Sequence, residues 1–268
     1  MGRHRGTIAP GPESTSSRQW PGHVDRCRRE RIQARRDDEI RLGRVPYRAG
    51  VQPVQTSTDH VIAAVDGHVG WVTLNRPDKH NALSPEMLRG LATLLRDWDA
   101  DPAVRVVVVR GAGERAFVSG ADIGQLGAGI DGPGGASTHH GMVPIGKPVI
   151  AMIRGFCIGG GLGLALETDL RIAAADAVFG IPAGKLGVAY PLDAIERLTA
   201  LVGTGEASRL LLTAQRIDAV RAAEIGLVHE VVATDALETR VRELAGVVAE
   251  LAPLTMRASK LGIVSALR

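Results

Sequence analysis

Gly159, Gly160 and Gly161, with a further glycine at Gly163, stand between the apolar run Val149-Ile150-Ala151-Met152-Ile153 and the segment Leu164-Ala165-Leu166-Glu167. A strand that ends in glycines and turns into an Ala/Leu-rich helix leaves main-chain N–H groups with no intrahelical acceptor, at the positive end of the helix dipole. Such groups bind anions or stabilise an oxyanion. Without a Cβ, a ligand carbonyl can come close to the backbone. Taken alone, the stretch serves equally as a tight turn for helix packing.

Two further segments change that balance. Asn75-Arg76-Pro77-Asp78-Lys79-His80-Asn81-Ala82-Leu83 lies upstream, and Arg110-Gly111-Ala112-Gly113 closes an apolar strand at 104–109 before Ala116-Phe117-Val118-Ser119-Gly120-Ala121-Asp122-Ile123. In order and approximate spacing the three segments resemble the signatures of the enoyl-CoA hydratase/isomerase, or crotonase, superfamily, from about Asp59 to the last residue. The resemblance implies an α/β fold, the crotonase-like (ClpP/crotonase) spiral of ββα units with a helical C-terminal trimerisation region, and so a homotrimer or dimer of trimers. It also implies an acyl-CoA thioester ligand, with coenzyme A entering as part of the substrate and no tightly bound cofactor. By the same resemblance the oxyanion hole is formed by the backbone N–H groups of Ser119 and Gly160, at about 3–4 kcal/mol of transition-state stabilisation per donor. Lys79, His80 and Ala82, with Ala121, Asp122 and Ile123, fall where the family lines the adenine and pantetheine path. Asp122 is expected to orient its loop rather than to move protons.

The departures bear on the reaction. Hydratases of this family carry one glutamate two residues after the triple glycine and another after the proline of the Phe-Gly-x-Pro segment; here those places hold Gly163 and Ala183. Water addition to an enoyl thioester needs groups to activate water and to protonate the α-carbon. Glycine and alanine supply neither. The expectation is therefore an acyl-CoA lyase or isomerase-type enzyme that stabilises a thioester enolate without the hydratase pair. The alternative is a non-catalytic acyl-CoA binding protein, and a third reading is a truncated product that folds poorly. Tyr190 falls where methylmalonyl-CoA decarboxylase relatives place an active-site tyrosine, although the histidine those relatives use stands here as Ala121. A packing role for the Tyr190 ring competes with the catalytic one. Lys185, Asp193, Glu196 and Glu167 are the other acid/base candidates.

These residues need a scaffold, and the chain of 268 residues, 45% hydrophobic, is long enough to build it. The formal charge of +3 is unevenly spread: residues 1–58 hold 12 Arg and 6 acidic groups, a net of +6, which leaves −3 for the remainder. That N-terminal segment shows no sustained apolar periodicity and reads as a disordered, Arg-rich extension, with a short helix near 28–40. Glu30, Asp37, Asp38 and Glu39 interrupt its positive charge and argue against a nucleic-acid arm or a transit peptide. Arg outnumbers Lys 28 to 4, as in GC-rich genomes where start codons are easily misplaced, and an upstream extension that is not translated is the favoured reading. The absence of a signal-type apolar region or a membrane-length stretch points to a cytoplasmic protein. Cys27 and Cys157 are not expected to pair, and His139-His140 lack metal-ligand spacing.

From His60 the pattern is globular. A hairpin is predicted over 60–74 around Asp66-Gly67, then a helix opened by Ser84-Pro85 and stopped by Asp101-Pro102. The residues at 127–141 read as a Gly-rich loop. Strands are expected near 170–174, 177–180 and 228–232, and helices near 192–201, 205–212, 219–225, 236–251 and 254–267. The division is an extension at 1–58, a spiral core at 59–200, and a helical region at 201–268 that stops a few turns short of the family's usual length.

Overall fold

A computed structural model describes residues 2, 39–42, 45–48, 50–122 and 142–266. Contacts divide the chain into residues 1–49 and 50–268. In the first unit β1 (Glu39–Leu42) and β2 (Val45–Arg48) form an antiparallel hairpin. Most of the helix expected near 28–40 lies outside the described residues, and Ile40 belongs to β1.

The second unit is built on two sheets. The large one has the order β13-β10-β8-β6-β5-β4-β3. Its strands in chain order are β3 (Gln52–Val54), β4 (Val61–Asp66), β5 (Val69–Leu74), β6 (Val106–Gly111), β8 (Val149–Ile153), β10 (Leu170–Ala174) and β13 (Glu230–Val232). Antiparallel pairing joins β3 to β4 and β4 to β5, and the rest of the sheet is parallel. The small sheet has the order β12-β11-β9-β7, from β7 (Ala116–Val118), β9 (Phe156–Ile158), β11 (Val178–Gly180) and β12 (Arg216–Asp218). The chain repeatedly lays one strand in the large sheet, the next in the small sheet, and then a helix. Thus β8 and β9 lead into α2 (Gly160–Leu166), and β10 and β11 into α3 (Ala183–Leu186).

The parallel strands are apolar on both faces because both faces are covered. In β6, Val107 and Val109 join the main core with Leu74, Phe117, Leu162 and Phe179, while Val106 and Val108 point to the opposite side. That second core is closed by α6 (Leu237–Glu250), whose Leu237, Val241, Ala245 and Ala249 recur every four residues and pack with Trp71, Ile150 and Ile172. Helix α1 (Pro85–Ala100) starts as the sequence dictates: Ser84 Oγ accepts the Met87 N–H at 3.1 Å, and Pro85 occupies the first turn. Its Met87, Leu91, Leu94, Leu95 and Trp98 are buried in the main core. Helix α4 (Leu192–Thr213) joins the two helices expected at 192–201 and 205–212, with Gly203 non-helical at their junction. Helices α5 (Ala219–Glu224) and α7 (Pro253–Ala266) follow the expected order, and α7 is tied down by Lys260, whose Nζ meets Asp169 at 2.7 Å. Among the described residues no helix is long and apolar enough to cross a membrane, and no group of three or more His, Cys, Asp or Glu is placed to hold a metal.

The structure extends the folded part upstream of Asp59. Val51 is buried, β3 pairs with β4, and Thr56 Oγ1 donates to the Val61 carbonyl. Removing residues 1–58 is therefore expected to lower the melting temperature by several degrees relative to removing 1–49, since the longer deletion strips an edge strand and a buried valine worth about 1.5–3 kcal/mol. Matched thermal melts of the two truncations check this. Equal midpoints would show that 50–58 contributes nothing.

Candidate active site

Asn81 is the hub of the segment 75–83. It is fully buried, its Oδ1 accepts the Arg76 N–H at 3.0 Å, and its Nδ2 donates to the Ala112 and Ala116 carbonyls, each at 2.9 Å. Asn81 and His80 both have positive φ, 56° and 50°. Asparagine tolerates this conformation better than most residues. Arg76 is buried beside it, donating to the Ala82 carbonyl at 2.8 Å and to Asp122 Oδ2 at 2.8 Å. This hydrogen bond is the main reason the Asp122 carboxyl is held below its ordinary pKa, with Lys79 at 3.5 Å adding to it. Asn81→Ala is expected to cost about 3 kcal/mol of stability, from lost hydrogen bonds of about 1 kcal/mol each and buried partners left unpaired. Denaturant unfolding measures it, and a change under about 0.5 kcal/mol would show that the hub is dispensable.

This platform fixes the loop after β7. The Leu83 N–H donates to the Gly120 carbonyl at 2.8 Å, and the Asp122 N–H returns to the Leu83 carbonyl at 2.9 Å. Leu83 and Ala121 thus form a parallel bridge. In such a bridge the flanking groups of Gly120 and Asp122 face the partner strand, so the Ala121 N–H faces away from it. Among the described residues it meets no acceptor. The Ser119 N–H behaves differently: it donates to the His80 carbonyl at 3.1 Å. Gly120, at φ 129°, makes the change of direction between them.

On the other side stands the glycine run. Gly159 (φ 54°, ψ −117°) caps α2, which makes Gly160 the first helical residue, its N–H without an intrahelical acceptor. A Cβ placed on Gly160 would lie 3.4 Å from the Ala121 nitrogen and 3.4 Å from Leu83 Cδ1. The Gly160 and Ala121 amides are therefore neighbours, and both residues are half-buried rather than sealed. Two adjacent N–H donors can hold one carbonyl oxygen and gain strength as negative charge develops on it. Of the expected pair, the Gly160 amide lies here, whereas the Ser119 amide donates to the His80 carbonyl and Ala121 is the neighbour of Gly160.

The remaining candidates separate. Lys79 is exposed, and the His80 ring stands edge-on to Phe156 at 6.2 Å. Ala82 flanks the bridge and Ala121 forms part of it, while Ile123, Cys27, His139, His140 and the rest of the stretch 127–141 expected as a loop lie outside the described residues. Gly163 is buried within α2, and Ala183 begins α3, half-buried against the main core. Tyr190 also packs on that core, and its hydroxyl donates to the Gly159 carbonyl at 3.0 Å. Burial pushes its pKa well above the usual phenol range, with Cys157, Glu167 and Asp193 adding to the rise. Burial likewise raises the Cys157 thiol, which leaves it poorly suited to act as a nucleophile. Lys185 and Glu196 are exposed. Among the described residues Asp193 Oδ1 is buried with no hydrogen-bond partner, an arrangement that calls for an explanation. No signal in the sequence singles out the Asn81 hub or the Arg76–Asp122 pair, whose members are 46 residues apart.

The two sheets and the helices that follow them define a crotonase-like α/β fold, and comparison with known proteins agrees. The model of the enoyl-CoA hydratase/isomerase family matches residues 64–267, and the chain belongs to that family. A short-chain-enoyl-CoA hydratase of Clostridium acetobutylicum is 37% identical over 211 residues, covering 76% of this chain and 81% of the relative. An (E)-benzylidenesuccinyl-CoA hydratase of Thauera aromatica is 36% identical over 205 residues, covering 75% and 80%. Among solved structures, an enoyl-CoA hydratase of Bacillus anthracis superposes with a TM-score of 0.72 at 32% identity, covering 77% of this chain and 83% of that one.

Proposed function

We propose that this protein is an acyl-CoA enzyme of the lyase or isomerase type. The amides of Ala121 and Gly160 hold the thioester oxygen and stabilise the enolate formed when the α-proton leaves. The observation that supports the reading is the adjacency of the two amides, with a Gly160 Cβ only 3.4 Å from the Ala121 nitrogen. The α-carbon gives its proton to a carboxylate, and its bonding electrons move onto the oxygen between the donors. Of the carboxylates near Tyr190, Asp193 has a buried oxygen that meets no partner among the described residues, and the reading assigns the proton to it. Lys79, His80, Ala82, Asp122 and Ile123 are assigned to the coenzyme A path, with coenzyme A arriving as part of the substrate and no separate cofactor. Assembly as a homotrimer or dimer of trimers belongs to the same proposal and is supported by the apolar Leu192, Leu212, Leu254 and Ile263, which a single chain leaves exposed.

Calorimetry with an acyl-CoA and with the matching free acid tests the ligand. The thioester is expected to bind and the acid to bind poorly; equal affinity would sink the proposal. A second reading, a non-catalytic acyl-CoA binding protein, is favoured by the lack of an acid at Gly163 and Ala183. Exchange of the acyl α-protons in heavy water decides between them. Exchange that is lost in Asp193→Asn supports the enzyme, and binding without exchange supports the carrier.

A further inference from the structure

We infer that Tyr190 is a positioning residue of the thioester site, acting through the Gly159–Gly160 peptide. Its hydroxyl bonds the carbonyl end of the peptide group whose other end is the Gly160 N–H. The inference rests on the proposed role of that N–H. A peptide group is planar and trans, so the Gly159 C=O and the Gly160 N–H are held antiparallel in one plane. Whatever fixes the oxygen fixes the direction of the N–H. The need for such a fix arises from Gly159, whose backbone, lacking a Cβ, has more conformations open to it than any other residue would.

Three hydrogen bonds close off that freedom. The Gly159 N–H donates to the Gly180 carbonyl at 2.8 Å, and the Gly159 carbonyl accepts the Gly163 N–H at 3.0 Å. The third is Tyr190, whose hydroxyl donates to the same carbonyl at 3.0 Å, using the oxygen's second lone pair. The first two bonds belong to the backbone and come with the fold. Only the third is supplied by a side chain. Tyr190 is well seated to supply it: its ring packs against the main core, and Pro191 follows at the N-cap of α4. Two donors on one carbonyl also polarise the whole peptide, which makes its N–H a stronger donor. The arrangement uses the phenol proton inside the protein, so Tyr190 acts on the substrate through the amide and not by proton transfer.

The test uses 4-(dimethylamino)cinnamoyl-CoA, a thioester whose absorption reddens when its carbonyl oxygen is hydrogen-bonded, bound to the full chain. Wild type is expected to bind it with a red shift. Tyr190→Phe keeps the ring and should bind within about threefold of wild type while losing about 10–30% of the shift or more, the share by which one hydrogen bond strengthens the next. Turnover, where measurable, should fall about tenfold with KM unchanged, less than the 10²–10³ that follows loss of a whole donor. A 3-fluorotyrosine at the same position, a stronger donor, should deepen the shift, and this variant carries the test if the phenylalanine variant folds poorly. An unchanged shift in both variants would overturn the inference, even with a lowered melting temperature. Failure of wild type to bind or to redden the probe would overturn the thioester reading itself, and the inference with it.

Discussion

Crotonyl-CoA is expected to be hydrated by this protein about 10⁴-fold or more slowly than by a relative with glutamates at both positions, since each acid/base group supplies about 10²–10⁴-fold. Gly163 lies inside α2 with no side chain to offer, and Ala183 presents a methyl group half-buried against the core. Neither can activate water or deliver a proton. The two amides of the proposed site would still polarise the thioester, so binding of the substrate should survive the loss of rate. Following the conjugated enoyl absorbance, with a glutamate-bearing hydratase assayed alongside, measures the gap. A rate within about tenfold of that enzyme's would refute the assignment and point to Asp193 or Glu167 as the water-activating base.

Gly160→Val is expected to reduce acyl-CoA binding about 100-fold or more while the fold persists, on the scale of losing an oxyanion donor. A Cβ at Gly160 meets nothing closer than 3.4 Å, so the protein itself accommodates it. The added methyl groups would instead fill the space beside the Ala121 amide that the thioester oxygen needs. Gly161→Ala provides the contrast: its Cβ would sit 2.2 Å from the Val118 carbonyl oxygen, so that change should damage the fold. Calorimetry with the acyl-CoA and a thermal melt on both variants separate the two effects. Unimpaired binding by a folded Gly160→Val protein would place the oxygen site elsewhere.

How much of this was legible in the sequence depended on how local each signal was. Helix α1 was legible because Ser84, Pro85 and a stripe of Met, Leu and Trp are all contained in one stretch of chain. The apolar strands of the large sheet showed themselves as uninterrupted runs. In the small sheet β11 was anticipated near 177–180, but β7, β9 and β12 were not, each being three residues and too short for an alternation to register. In the site, the glycine run announced Gly160. That the Ser119 amide pairs with the 80–83 segment and the Ala121 amide does not was not readable, since the pairing is made across some forty residues. Val51 and β3 were missed for a similar reason, as their role exists only beside β4.

In the proposed site, the bridge between Leu83 and Ala121 puts the reactive function on the main chain, where the genetic code has no direct control over it. Ala121 is already alanine, so an alanine scan passes over it in silence, and most replacements there would keep the N–H in place. What such a site cannot tolerate is a slip of register: one residue inserted between Gly120 and Asp122 would turn a different amide toward Gly160. Sensitivity to insertions with indifference to substitution is thus the expected mutational fingerprint. It also leaves surrounding side chains free to change, so that lineages sharing this backbone could exchange one proton-transfer chemistry for another while keeping the proposed pair of amides.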